Sequence, residues 1–153
     1  MIRSCWFLVA FFSLAVGLSP MSLAQTAPAT KASSGIEAQI KSTVLENIRS
    51  TQAEDVDAMM KTIHSRSPMY ETTKKQVARI FGKGLNLNYE LLSFKYIATD
   101  EDYALGRVRQ RTTVGGGPNF RNNEIDMIVA FRKEGDVWKF WSQAILEVKF
   151  LNK

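Results

Sequence analysis

The side chains best suited to moving a proton, His64, Tyr70 and Glu71, fall in one short stretch, IHSRSPMYETT. A carboxylate next to a phenol could supply a base and an acid at a pocket mouth, and a histidine could act as base or metal ligand. Each also has a plainer role. His64 could be a cation at the end of a helix, favoured by the helix dipole, and Tyr70 with Glu71 a solvated loop pair. His64 is the single histidine and Cys5 the single cysteine. The acidic run Asp100-Glu101-Asp102 lacks the spacing of a calcium loop, so no metal or cofactor is implied. Gly115, Gly116 and Gly117 do not sit between a strand and a helix as a phosphate cradle requires, and with Pro118 they read as a hairpin turn.

Residues 1–24 have the three parts of a secretory signal. Arg3 is followed by an apolar run from Cys5 to Leu18, then by Ser22-Leu23-Ala24 with small residues where a signal peptidase reads. The apolar run is shorter than the ~20 residues of a spanning helix, so cleavage before Gln25 and a product without stable membrane insertion are expected. That product would be exported, periplasmic or extracellular, with a thylakoid lumen equally compatible. Cleavage removes Cys5, and disulfides and thiolate chemistry go with it. Loss of Arg3 leaves 19 basic residues against 15 acidic ones, a modest excess spread along the chain that argues against a nucleic-acid partner.

Residues 25–35, QTAPATKASSG, read as a flexible linker, and residues 36–153 as one domain large enough for a core without disulfides. Ile36, Ile40, Val44, Leu45 and Ile48 recur at helical spacing behind a Ser34/Glu37 capping pair. Thr51 and Glu54 repeat that pair ahead of Val56, Met59, Met60 and Ile63, predicting a second helix. Ser67-Pro68 interrupts, and Val77, Ile80 and Phe81 mark a short third helix ending at Gly82 and Gly84. Beyond this point the period becomes two. Leu87, Tyr89 and Leu91 alternate, then Leu92, Phe94 and Tyr96 with shifted parity, so a bulge near Leu91 is expected. Helices first and strands second indicate an α+β fold, with the helices on one sheet face.

Folding the last strands about the glycine turn sets Arg111 against Asn122, Arg109 against Glu124 and Arg107 against Asp126, a charge ladder on the solvent side. The opposite parity carries Val108, Ile125, Met127, Val129, Phe131, Trp138, Phe140, Ala144 and Leu146, with Gln110, Asn123 and Ser142 as its polar members. An apolar wall with sparse polar groups suits a small-molecule pocket, here Gln110, Asn123, Met127, Phe140 and Ser142. Ile128, Trp141 and Ile145 would then form an apolar patch on the outer face, suited to a homodimer interface.

The helix sequence AEDVDAMMKTIH, the following SPMYETT, the short third helix and the hairpin IDMIVAFRKEGDVWKF together resemble the nuclear transport factor 2-like superfamily, in its SnoaL-like and ketosteroid-isomerase-like bacterial branch. The resemblance covers Ile36 to Leu151. It implies a cone of three helices on a strongly curved antiparallel sheet, a pocket at the wide end and frequent dimers. The isomerases of that branch use a carboxylate base with a tyrosine and a protonated aspartic acid as oxyanion donors. The resemblance puts Glu71 near the base, but the acid falls at Met127, and no tyrosine lies in the first helix. With those donors missing, the expected function is an exported domain binding a small apolar or amphipathic ligand. The alternatives are a cyclase, isomerase or dehydratase using Glu71, Tyr70 or His64, and an assembly protein acting through its outer sheet face.

Overall fold

The computed structural model describes residues 27–81, 86–115 and 120–151. The signal segment, Gly82, Gly84 and Gly116 to Pro118 lie outside them. Three helices, α1 (Ala27–Gln52), α2 (Val56–Lys61) and α3 (Tyr70–Phe81), precede four strands, β1 (Leu87–Asp100), β2 (Tyr103–Val114), β3 (Asn123–Glu134) and β4 (Val137–Phe150). The strands form one antiparallel meander in the order β1-β2-β3-β4.

Helix α1 starts upstream of the Ser34/Glu37 pair, so Ser34 lies inside it and residues from Ala27, expected as linker, are helical. Pro28 stands in the first turn, where its missing N–H takes no bond from the helix. Ile40, Val44 and Ile48 make the buried stripe, while Leu45, one step off it, is exposed. The break after α1 needs a left-handed residue, supplied by Glu54 at φ 53°. Helix α2 is capped by Asp55, whose side chain accepts from the Ala58 N–H, and not by Thr51, whose hydroxyl bonds back to the Asn47 carbonyl within α1. Ile63 lies beyond α2 and bridges Phe140 in parallel, through Phe140 N–H to Thr62 O and His64 N–H to Phe140 O, both 2.9 Å. Helix α1 is tied to the same strand by the Thr43 hydroxyl, which donates to the Trp138 carbonyl at 2.8 Å.

The bulge expected near Leu91 is present, between Leu91 and Ser93, and a second follows between Tyr96 and Ala98. Two more register shifts interrupt the β3–β4 ladder, at Ala130/Phe131 and Asp126/Met127. Bulges bend the strand that carries them, and these curve the sheet around the helices. Phe131, Val129, Val108, Ala104, Met127, Trp138 and Phe140 meet Ile40, Val44, Ile48, Met59, Met60, Ile63 and Val77 in one core. Gly106 belongs to that packing, because a Cβ there would sit 2.9 Å from the Phe94 ring.

The outer charge ladder forms in a register displaced by two residues from the expected one. Arg111 faces Glu124, Arg109 faces Asp126 and Arg107 faces Ile128. Arg107 still reaches Asp126 diagonally in a bidentate pair at 2.8 and 2.6 Å. Arg111 bridges Glu124 and Glu90. The even displacement preserves face parity, which is why the faces of β2 and β3 are as expected although the pairs are not.

Candidate functional site

Between α1 and the concave sheet face lies a cleft of about 120 Å³. Helix α1 contributes Val44, Asn47 and Ile48, β2 Val108 and Gln110, β3 Ile125 and Met127, and β4 Phe140, Gln143 and Ile145. Its polar members among the described residues, Asn47, Gln110 and Gln143, are all carboxamides, and none of the described residues lining it is ionisable. Asn47 is held by donating to the Thr62 hydroxyl at 2.7 Å, and that hydroxyl donates to the Met59 carbonyl. Carboxamides both donate and accept hydrogen bonds without carrying charge, so the cleft can orient a neutral polar group against an apolar wall.

Of the residues expected in a pocket, the cleft brings together Gln110, Met127 and Phe140. Asn123 shares their face one step beyond Ile125, with its amide donating to the Arg121 carbonyl at 3.0 Å and its buried Oδ1 without a hydrogen-bond partner among the described residues. Ser142 lies on the other side of the sheet. The register shift at Ala130/Phe131 makes Trp141 an extra residue, after which Gln143 and Ile145 face Val129 and Met127, and Ser142 and Ala144 turn outward against Ala130 and Ile128. The same shift separates the expected outer trio: Ile128 and Trp141 are outside, while Ile145 is a cleft wall. Asn47, Gln143 and Ile145 were missed for two reasons. Asn47 reads as a polar interruption of the α1 stripe, and no local residue pattern marks the bulge at Trp141.

His64, Tyr70 and Glu71 are elsewhere. Tyr70 and Glu71 form the first turn of α3, not a loop. Tyr70 lines a separate open cleft of about 370 Å³ with Asp57, Lys61, Ser65, Lys74, Glu134 and Lys139, whereas exposed Glu71 lines neither cleft. His64 is not a helix-end cation, being 2% exposed and past the end of α2. Its Nδ1 accepts from the Arg66 N–H at 3.1 Å, and its ring meets Trp141 edge-on at 5.1 Å. Burial pushes its pKa below the usual 6.5, and Arg132 and Arg66 add to that, with Glu134 opposing. Glu134 in turn is clamped by Lys139 and by the Ser65 hydroxyl and N–H, which hold its carboxyl at about 2. This polar group ties the β3–β4 hairpin to the segment after α2.

Residues 42–151 match the family model for the C-terminal domain of the anti-sigma-I factor RsgI9. The chain belongs to this family. No curated protein matches the sequence. Among solved structures, the chain is similar to Bd1075 of Bdellovibrio bacteriovorus, with TM-score 0.58, 13% identity and 74% of this chain covered. The chain spans 40% of Bd1075's length. It is also similar to the beta subunit of benzoate 1,2-dioxygenase from Burkholderia mallei, with TM-score 0.60 and 14% identity over 71% of this chain and 87% of that one. An NTF2-like protein of unknown function from Pseudomonas putida KT2440 superposes with TM-score 0.61 and 13% identity over 73% and 86% of the two chains. At these identities the likeness establishes the fold, the nuclear transport factor 2-like cone of three helices on a curved four-stranded antiparallel sheet.

Proposed function

We propose that the chain is an exported binding domain whose inner cleft takes the neutral polar end of a small or amphipathic ligand. The observation carrying this reading is the cleft lining, which among the described residues is three carboxamides on an apolar wall without an ionisable group. General acid–base chemistry requires a titratable side chain within reach of the substrate, whereas recognition of a hydroxyl or amide requires only donors and acceptors. A volume of about 120 Å³ suits a ligand portion near benzene in size, since a cavity of ~150 Å³ accommodates that molecule. Membership of a family described as the C-terminal domain of an anti-sigma factor supports a sensory or accessory role over an enzymatic one. Export rests on the signal-like residues 1–24.

Native mass spectrometry of the protein purified from its own host tests the proposal. The expected result is a reproducible bound mass that Gln110→Leu and Gln143→Leu each diminish without unfolding the chain. Catalytic turnover that Tyr70→Phe or Glu71→Gln abolishes in a folded protein would overturn the reading in favour of an enzyme.

A further inference from the structure

From Gln143 to Phe150 every residue of β4 is exposed, with Ile145 at 56%, Leu146 at 54%, Val148 at 42% and Phe150 at 50%. This stretch is also a sheet edge. β4 ends the strand order, and among the described residues the one bridge on its free side is at Phe140, upstream. A long apolar edge is a template for another strand, and soluble proteins blunt such edges or use them.

We propose that this edge pairs antiparallel with the same edge of a second copy, about a two-fold axis at Val148, joining the two sheets into one. The residues ILEVKFL, 145–151, are nearly self-complementary about that point. Glu147 comes opposite the second copy's Lys149, and Lys149 opposite its Glu147. Val148 meets its own counterpart, and Leu146, the extra residue between Ile145 and Glu147 in the β3–β4 ladder, comes level with Phe150. Moving the axis to Glu147 or Lys149 would set like charges directly opposite, which is destabilising, so the charges select the register.

The backbone agrees. Leu151 N–H donates to the Asn122 carbonyl at 2.8 Å, so it turns toward β3, and by alternation Lys149 and Glu147 do too. Val148 and Phe150 therefore aim their N–H and C=O groups at the free edge. An axis at Val148 makes it a mutually hydrogen-bonded pair. Side chains sort equally well. Glu147 and Lys149 pair with Asp126 and Glu124 of β3 on the arginine-ladder face, while Val148 and Phe150 pair with Ile125 and Asn123 on the cleft face. The joined edge thus places the ion pairs toward solvent and covers the apolar row beside the cleft wall at Ile145. This assembly is independent of any ligand in the cleft.

Analytical ultracentrifugation of the purified chain, with circular dichroism as the fold control, tests it. The wild type should dimerise. Val148→Pro should be a folded monomer, because proline there removes a donor aimed away from β3. Glu147→Lys should raise the dimer dissociation constant about tenfold or more, and Glu147→Lys with Lys149→Glu should restore it to within about threefold, since the swap re-forms both pairs reversed. A wild type that is monomeric at ~100 μM would overturn the proposal. So would a dimer that ignores Val148→Pro but dissociates with Trp141→Glu. Should Val148→Pro fail to fold, the charge swap decides, and a double variant no tighter than Glu147→Lys sinks the edge pairing.

Discussion

The two halves of β4 have similar apolar content and opposite fates. Val137 to Phe140 is anchored on both sides: Phe140 is bridged to Ile63, the Trp138 carbonyl receives the Thr43 hydroxyl, and the Trp138 and Phe140 rings are buried. Gln143 to Phe150 pairs with β3 on one side and is exposed throughout. Between them lies Trp141, where the Ser67 hydroxyl donates to the Trp141 carbonyl at 2.7 Å and His64 and Arg132 pack on the ring. The difference shows that hydrophobicity along a strand says which residues want burial, while the elements that reach the strand decide which of them obtain it.

The sharpest way to break this comparison is to truncate an apolar residue in each half. Phe140→Ala should cost ~3–5 kcal/mol, as buried aromatic truncations do, and Val148→Ala within ~0.5 kcal/mol when the protein is dilute enough to be monomeric. Thermal or urea denaturation reads both, and equal losses would erase the distinction.

Next in size is the clamp at the hairpin leading into the buried half. Glu134 has its folded pKa depressed from 4.5 to about 2, so its contribution is fully present above pH 4.5 and is lost as pH falls toward 2. Allowing for solvent screening of a partly exposed pair, that contribution is about 1–2 kcal/mol. Thermal midpoints followed from pH 6 to ~2 should fall less steeply in Glu134→Gln than in the wild type.

His64 titrates in a different window. Because its folded pKa lies below 6.5, the unfolded chain takes up the proton first as pH falls. Stability from this residue is therefore complete above pH 6.5 and declines below it. His64→Gln, which retains an acceptor for the Arg66 N–H, should flatten the stability profile below pH 6.5. A slope unchanged by the substitution would mean that another group governs this region.

The smallest expected effect concerns the outer ladder beside the exposed half. Arg107→Gln removes the bidentate partner of Asp126, whose carboxyl the Arg107 guanidinium holds below its usual range. The predicted loss is the smallest of the four and shrinks further in 1 M salt, when measured by denaturation at both ionic strengths.

Much of this was legible in the residues. The alternation of Leu87, Tyr89 and Leu91 against Phe94 and Tyr96 announced a bulge that the ladder confirms. The stripe Ile40, Val44 and Ile48 marked the buried side of α1. The cleft was only half visible. Gln110, Met127 and Phe140 follow from strand parity, while Gln143 and Ile145 require the inserted residue at Trp141, which also turns Ser142 away from the face that unbroken alternation predicts for it. The cap of α2 was less legible, because the Thr51/Glu54 pair has the capping pattern while the left-handed turn at Glu54 leaves the cap to Asp55.

By itself the sequence determined the order of helices and strands, the curvature of β1, the charged outer face and the self-complementary run about Val148. These depend on period, residue type and near neighbours, which are local properties of the chain. Only the tertiary structure decided that His64 is buried, that Tyr70 and Glu71 lie away from the inner cleft, and that Ile145 turns inward. Each of those depends on where a distant segment docks on β4. A single extra residue in a ladder reverses every side chain beyond it without changing the local pattern that a sequence presents.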